Sequence, residues 1–346
     1  MTGLPTEFTL NTGAKVPALG FGTFQSTDGN AKVKEAVKLA LELGYRHIDG
    51  ANAYGNEREI GQAIKESGVP REEIFVTPKL AQTWHDPEDV ERALEVSLKD
   101  LQLDYVDLYL MHFPHAYKPG PNNETIRHPS GNGKPIIDYG MSRRYPETWQ
   151  AMEKLVESGK ARAIGRIRDD AETNYNLGLS NFSILKTKRV LEVAKIIPAV
   201  SQVEIHPYFP QHELVNFSAS HGILVMAHQP LGGRPVPAVR AHPDIPPPTE
   251  HARIIDIANK AGMSPAQVCL SWALRRGIPV VPKSVQPTHM ADNLKVKRLP
   301  DDLFEAVDTL SKETGALRFL EPSRHIQFDI FDEERDEPVG NSAPCD

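Results

Sequence analysis

Short apolar runs alternate along most of the chain with stretches in which apolar residues recur every three or four positions. The runs Ile74–Val76, Val106–Met111, Ile223–Ala227 and Ile278–Val281 are nearly continuous in apolar character, and Tyr45–Ile48 and Ala199–Val203 are shorter β-type runs broken by two polar residues each, as expected of largely buried strands. Between them, Lys32–Leu43, Glu57–Lys65, Asp86–Leu101, Pro146–Ser158, Ile184–Ile196, Gln211–Ser220, Glu250–Ala261 and Ser264–Arg275 carry the helical spacing. Punctuation agrees: Gly68 and Gly159 stand where helices should stop, and Asp86-Pro87 and Ser264-Pro265 pair a capping side chain with a first-turn proline. Phe8–Leu10 and Val16–Leu19 flank Asn11-Thr12-Gly13, a hairpin signal. Asp301–Lys312 reads as an extra outer helix, and Pro114–Arg144 and Pro235–Pro248 as loops. The alternation predicts an α/β protein: one (β/α)8 TIM barrel over residues 1–346, with an N-terminal β-hairpin cap and a C-terminal tail over 325–346.

Composition narrows the function classes. At 346 residues the chain exceeds the roughly 250 of a typical (β/α)8 barrel, which leaves room for loops and a tail without a second domain. A net charge of −7 argues against a nucleic-acid partner, which calls for a basic face. The two cysteines, Cys269 and Cys345, make neither a disulfide framework nor a zinc site, and they fit a reducing compartment. The first residues lack a basic start and apolar core, and no segment approaches the roughly 18 apolar residues of a membrane span. The expectation is a cytoplasmic protein with no membrane and no metal, a monomer or weak dimer.

The chemistry lies at the ends of the apolar runs. Asp49, Lys79 and His112 each fall at or just past such a run, and Tyr54 sits in the turn after Asp49. In a barrel of parallel strands these C-terminal ends converge on one mouth. Taken singly, each is more often a solvated loop residue or a satisfied core histidine. Together they suit the reduction of a carbonyl, which needs a hydride on one face of the carbon and a proton for the oxygen. A phenol is a poor acid at neutral pH, but a nearby ammonium lowers its pKa and a carboxylate can hold that ammonium. Tyr54, Lys79 and Asp49 fit those roles, and a neutral His112 can orient the carbonyl by donating an N–H. No side chain transfers hydride, so a nicotinamide is required, although no G-x-G-x-x-G fingerprint follows a strand.

The segment Gly44-Tyr-Arg-His-Ile-Asp-Gly-Ala-Asn-Ala-Tyr-Gly-Asn-Glu57, with Lys79 and His112 following, resembles the signature of the aldo-keto reductases, and the resemblance extends over nearly the whole chain. It implies Tyr54, Lys79, Asp49 and His112 as the catalytic tetrad and a cofactor bound across the mouth without a glycine-rich loop. By the same resemblance, Ser180, Asn181 and Gln202 grip the carboxamide, with Thr23 and Asp49 alongside. Ala-His-Gln-Pro-Leu231 stands where the family usually has Ala-Tyr-Ser-Pro-Leu, so that His228 would stack on the nicotinamide beside Leu231. Val281-Pro-Lys-Ser284 with Asn293 resembles the segment that holds the adenosine and its 2′-phosphate. NADPH is the expected cofactor, with NADH allowed, because His289 replaces the family's arginine and lacks its permanent bidentate charge. Phe24, His112 and Phe113 are expected in the substrate pocket, while Ala81 stands where a tryptophan is common, leaving space for Trp84 or the tail to fill. The nearest likeness is to fungal members acting on glyceraldehyde or glycerol, then to xylose-type reductases. His47 and His206 are read as structural.

One departure is large. Gly159-Lys-Ala-Arg-Ala-Ile-Gly165 should run almost directly into Leu179-Ser-Asn-Phe182, yet the polar segment Arg166–Gly178 intervenes and is expected to interrupt a central strand. Thr173-Asn174 and Leu177-Gly178 are compatible with a branch-like string and a terminal TAG, which reads as a retained intron. The insertion motivates an alternative in which the chain binds cofactor without turnover; a metal-dependent barrel hydrolase is a third reading.

Overall fold

The computed structural model describes residues 3–25, 30–129, 133–157, 176–233 and 235–331. It opens with an antiparallel hairpin of β1 (Glu7–Thr9) and β2 (Lys15–Pro17), paired Phe8 to Val16. Leu10 and Val16 bury against Phe75, Leu108, Ala199 and Met226, and the Asn11 side-chain amide donates to the carbonyls of Ile197 and Pro198. The hairpin therefore rests on residues at the starts of the parallel strands.

Those strands alternate with helices. In chain order they begin with β3 (Phe21–Gly22), α1 (Asn30–Leu43), β4 (His47–Asp49), α2 (Glu57–Ser67), β5 (Phe75–Thr77) and β6 (Lys79–Leu80), the last two divided by Pro78. They continue through α3 (Val90–Leu101), β7 (Tyr109–Met111), a short antiparallel pair β8 (Ala116–Tyr117) and β9 (Ile137–Asp138), α4 (Tyr139–Ser142) and α5 (Tyr145–Glu157). Next come β10 (Leu177–Ser180), α6 (Ile184–Val193), β11 (Val200–Glu204), α7 (His212–Ser220) and β12 (Leu224–His228). Then follow α8 (Ala252–Ala261), α9 (Pro265–Arg275), α10 (Pro287–Leu294), α11 (Asp301–Asp308), α12 (Leu310–Thr314) and α13 (Ser323–Ile326). One parallel sheet runs β12-β11-β10-β7-β6 and another β3-β4-β5. The run Ile278–Val281 contributes parallel bridges at Val280, to Ala227 on one side and Leu19 on the other.

Several boundaries move for identifiable reasons. The third helix begins at Val90, because the Asp86 carboxylate caps the amide of Glu88 in a turn ahead of it. At Ser264 the expected cap is present as a full capping box with Gln267. Residues 114–144 are not a bare loop: β8 and β9 pair, and the Asp138 carboxylate caps α4. Of the tail, Ile326, Phe328 and Ile330 bury against Ile137, and residues 332–346 lie outside the described set. Residues 166–175 of the insertion also lie outside it. The insertion's last two residues overturn the expected boundary, since Leu177 and Gly178 are inside β10, in register with Tyr109 and Leu110 of β7. Gly178 also pairs with Val200 of β11, so the end of the insertion as read from the sequence belongs to the strand itself.

Candidate active site

Asp49 ends β4, Lys79 opens β6, and His112 follows β7, while Tyr54 closes a single 3-10 turn over Asn52–Tyr54. The Lys79 ammonium is fully buried and donates to Asp49 Oδ1 at 2.5 Å and to the Gly50 carbonyl at 2.7 Å. Asp49 Oδ2 accepts from Gln202 Nε2 at 2.6 Å, so both carboxylate oxygens are held. The Tyr54 ring centroid lies 5.4 Å from Lys79 Nζ and 5.4 Å from the His112 ring. Phenol, ammonium, carboxylate and imidazole therefore meet at the strand ends.

Their protonation follows from burial and neighbours. The Tyr54 phenol is pushed above its usual range, first by burial; the Lys79 charge opposes this, the Asp49 charge adds to it, and a hydrogen bond to Lys79 again opposes. The ammonium pulls the phenol down as expected, and desolvation of the anion acts in the opposite direction and outweighs it. Burial also acts to lower Lys79, but the charges of Asp49 and Tyr54 and their hydrogen bonds outweigh it, and the group stays an ammonium. His112 is driven well below the usual imidazole range by burial, then by Lys79 and by the neighbouring histidines 228, 115 and 85. Among the described residues its Nδ1 has no hydrogen-bond partner.

A polar group adjoins this centre on the next strands. Asn181, in the left-handed region at φ 61°, donates its amide to the His112 carbonyl at 3.0 Å and to Ser180 Oγ at 3.1 Å. His228 Nε2 meets Asn181 Oδ1 at 2.8 Å, and burial holds that imidazole near 4, against the opposing charge of Glu204. Ser180, Asn181, Gln202 and His228 thus form one connected set. Thr23 is tied to it through the Asp49 carbonyl, which accepts both its amide and its hydroxyl. Phe24 is 43% exposed, with its ring 5.1 Å from Tyr54, and the Phe113 ring lies 5.0 Å from His112. Leu231 is half-buried and packs on the cluster around Trp272.

The remaining sequence-predicted residues form a second group, at and around the start of α10. Lys283 and His289 are exposed, Ser284 accepts the Gln286 amide ahead of α10, and Asn293 is buried on that helix. Lys283 is lowered by partial burial and then by the charge of Lys32 at the start of α1. Lys32 escaped the sequence reading because it looks like a solvated helix residue. Two exposed ammonium groups close enough to feel each other suit the binding of a phosphate.

Beside the Tyr54 turn is a cavity of about 430 Å³, lined by Asn52, Ala53, Ala81, Tyr117, Arg127 and His325 among others. The space at Ala81 is open; Trp84 is buried with Arg92 stacked 5.0 Å above its ring, and the tail contributes His325 and Ile326 to the wall. A larger cavity of about 650 Å³ between α6 and α7 touches Asn181 and Glu204 but none of the tetrad. His47 bonds Thr77 Oγ1 at 3.0 Å. His206 bonds Glu204, whose carboxylate also caps the amides of Phe319 and Leu320, so both histidines serve structure. Among the described residues no helix is long and apolar enough to cross a membrane.

An α/β fold with parallel strands and a buried Asp–Lys pair set against a phenol and a neutral imidazole defines a carbonyl-reductase class of site. The aldo/keto reductase family model matches residues 18–312, and the chain belongs to that family. It is 45% identical over 294 residues to aldo-keto reductase family 1 member A1 of Rattus norvegicus, covering 83% of each chain. It is 42% identical over 327 residues to a glycerol 2-dehydrogenase (NADP(+)) of Saccharomyces cerevisiae and 43% identical over 332 residues to the aldehyde reductase YPR1 of the same yeast. Each of these two alignments covers 93% of this chain and 96% of the relative.

Proposed function

We infer that this protein reduces an aldehyde or ketone to an alcohol with NADPH. The observation that carries the reading is the fully buried Lys79 ammonium, bound to Asp49 at 2.5 Å beside the Tyr54 phenol. The bound reduced nicotinamide supplies the hydride. His112, neutral because of its burial, donates an N–H to the carbonyl oxygen and fixes its direction. Tyr54, kept protonated at rest, gives its proton to that oxygen as charge develops there, and Lys79 stabilises the phenolate left behind. Asp49 holds Lys79 charged and in place.

On this reading Ser180, Asn181 and Gln202 hold the carboxamide, with Thr23, His228 and Leu231 along the same ligand. Asn181 Oδ1 already meets His228, which makes His228 a direct competitor for the carboxamide's donor. Lys283, Ser284, His289 and Asn293, joined by Lys32, are assigned to the adenosine and 2′-phosphate, and the paired positive charge of the two lysines supports the phosphorylated cofactor over NADH. The parallel runs are read as one closed eight-stranded barrel, supported by the bridges of Val280 to both Ala227 and Leu19. Substrates are small carbonyl compounds that reach Tyr54 past Phe24 and Phe113, with the cavity at Ala81 taking the rest of the molecule. The names of the yeast relatives, a glycerol 2-dehydrogenase and an aldehyde reductase, support that class.

Purified protein should oxidise NADPH with members of a broad aldehyde panel. Tyr54→Phe should remove most of that turnover while cofactor fluorescence still reports binding. Failure of the wild-type protein with every aldehyde would overturn the assignment, and cofactor quenching without turnover would favour the binding-only alternative.

A further inference from the structure

Glu57 opens α2, three residues after Tyr54, and is 3% exposed. A carboxyl at the start of a surface helix ordinarily faces water; this one points inward among four elements. Its Oε2 accepts from Asn52 Nδ2 at 3.0 Å and from Ser97 Oγ of α3 at 3.1 Å. Among the described residues its Oε1 has no partner, and neither does the hydroxyl of Tyr109, a fully buried β7 residue whose ionisation is opposed by burial and then by the Glu57 charge. The charged groups around it are Asp100 of α3, itself paired with Arg58 at 2.9 Å, and Lys79 of β6. Among the described residues no cation contacts the carboxyl directly, so its burial is costly and needs a reason.

The reason lies in what Asn52 does. Asn52 starts the turn that ends in Tyr54, and its carbonyl accepts the Gly55 amide. The same turn is tied from the other side by Asn30, whose side chain donates to the Tyr54 and Gly55 carbonyls at 3.3 and 3.1 Å. The Asn52 tie reaches the core beneath the turn, where it complements the bond between Tyr54 and the buried Lys79. We propose that Glu57 is a positioning residue for the reduction, fixing the Tyr54 hydroxyl against Lys79 and the substrate oxygen through its hydrogen bond to Asn52. The proposal rests on Tyr54 being the proton donor.

Burial lifts the Glu57 carboxyl to about 7, against the hydrogen bonds from Asn52 and Ser97 that act to lower it. Near neutral pH, then, the acceptor held by Asn52 changes from carboxylate to carboxylic acid, and a charge-assisted bond becomes an ordinary one. Turnover should bend with pH in that range if the bond matters.

The test compares kcat, KM, NADPH affinity and pH profile in Glu57→Gln, Glu57→Leu, Asn52→Ala and the Glu57→Leu/Asn52→Ala double variant. Misplacing a proton donor by about 1 Å costs on the order of a hundredfold, so kcat should fall at least about tenfold in Glu57→Leu and in Asn52→Ala, with NADPH Kd nearly unchanged. Glu57→Gln, which keeps an acceptor for Asn52, should recover most of kcat and lose the neutral-pH inflection seen in the wild type. The double variant should be no worse than the poorer single one, because both cut one link. Unchanged kcat in Asn52→Ala overturns the proposal even if Glu57→Leu fails to fold, and so do additive losses or an inflection that survives Glu57→Gln. An inactive wild-type protein refutes the reading of Tyr54 instead.

Discussion

Removing Arg166–Gly178 tests how the chain enters its central strand. Nineteen residues separate Glu157, the end of α5, from Leu177, the start of β10. The deletion would leave six, with Ile164-Gly165 in the places of Leu177-Gly178. The substitution is physically specific, because a Cβ at position 178 would stand 2.6 Å from Leu110 Cδ2 and 2.6 Å from the Val200 carbonyl oxygen, and only glycine fits. Gly165 supplies one. Shortening the connection from nineteen residues to six lowers the cost of closing it by (3/2)RT ln of their ratio, about 1 kcal/mol. The deletion variant should therefore fold, unfold at slightly higher urea with tryptophan fluorescence as the probe, and keep its turnover. Gly178→Ala in the full chain, and Gly165→Ala in the deletion variant, should each cost about 1–3 kcal/mol, because the β11 backbone cannot move aside cheaply. A deletion variant that does not fold, or an alanine tolerated at both positions, would refute the reasoning.

Lys79→Met should lower kcat by at least about a hundredfold and stability by about 3–5 kcal/mol, since it strands the buried Asp49 carboxylate with Gln202 as its remaining side-chain partner; steady-state kinetics and urea unfolding read both. His289→Arg should tighten NADPH roughly tenfold and leave NADH unchanged, and Lys32→Met should weaken NADPH alone, as fluorescence titration with each cofactor will show. Glu57 has a folded-state pKa near 7 against an ordinary 4.5, so the folded state keeps a proton that the unfolded chain releases. That stability is fully present below about 4.5 and is lost as pH rises to about 7; Glu57→Gln should flatten the slope and gain up to about 3 kcal/mol at pH 8. An unchanged pH–stability curve in that variant would contradict the burial argument.

The proposed tetrad could be picked out because each member ends an apolar run or sits in the turn after one, a pattern that survives without any knowledge of packing. Other features depend on what lies across the fold. Pattern alone cannot choose between Ile164-Gly165 and Leu177-Gly178 as the start of the strand, since the two pairs have the same chemistry; the register with Tyr109 and Val200 decides. Lys32 and Glu57 look like solvated first-turn residues until α1 is seen beside Lys283 and α2 above Ser97. The segment 114–144 reads as loop because its two strands are only two residues each and polar residues surround them. The direction of the Tyr54 shift was also beyond the sequence, because a nearby lysine and a buried site push oppositely and only the degree of burial tells which prevails.

That direction bears on how a proton donor should be built. A phenol already ionised by its lysine has no proton to give, whereas one held above its usual range is fully loaded at neutral pH. Lys79 does not discharge it at rest, because burial penalises the phenolate more than the cation favours it, and the Asp49 charge offsets part of that cation's pull. On the proposed reading, a carbonyl oxygen that gains alkoxide character is a far stronger base than a phenolate, and the Tyr54 proton would move to it downhill. The phenolate left on Tyr54 would then lie beside the buried Lys79 ammonium, which stabilises its charge. The pair therefore acts on the state after proton transfer more than on the state before it. For that reason, loss of Lys79 should be felt in kcat far more than in the affinity for the carbonyl compound.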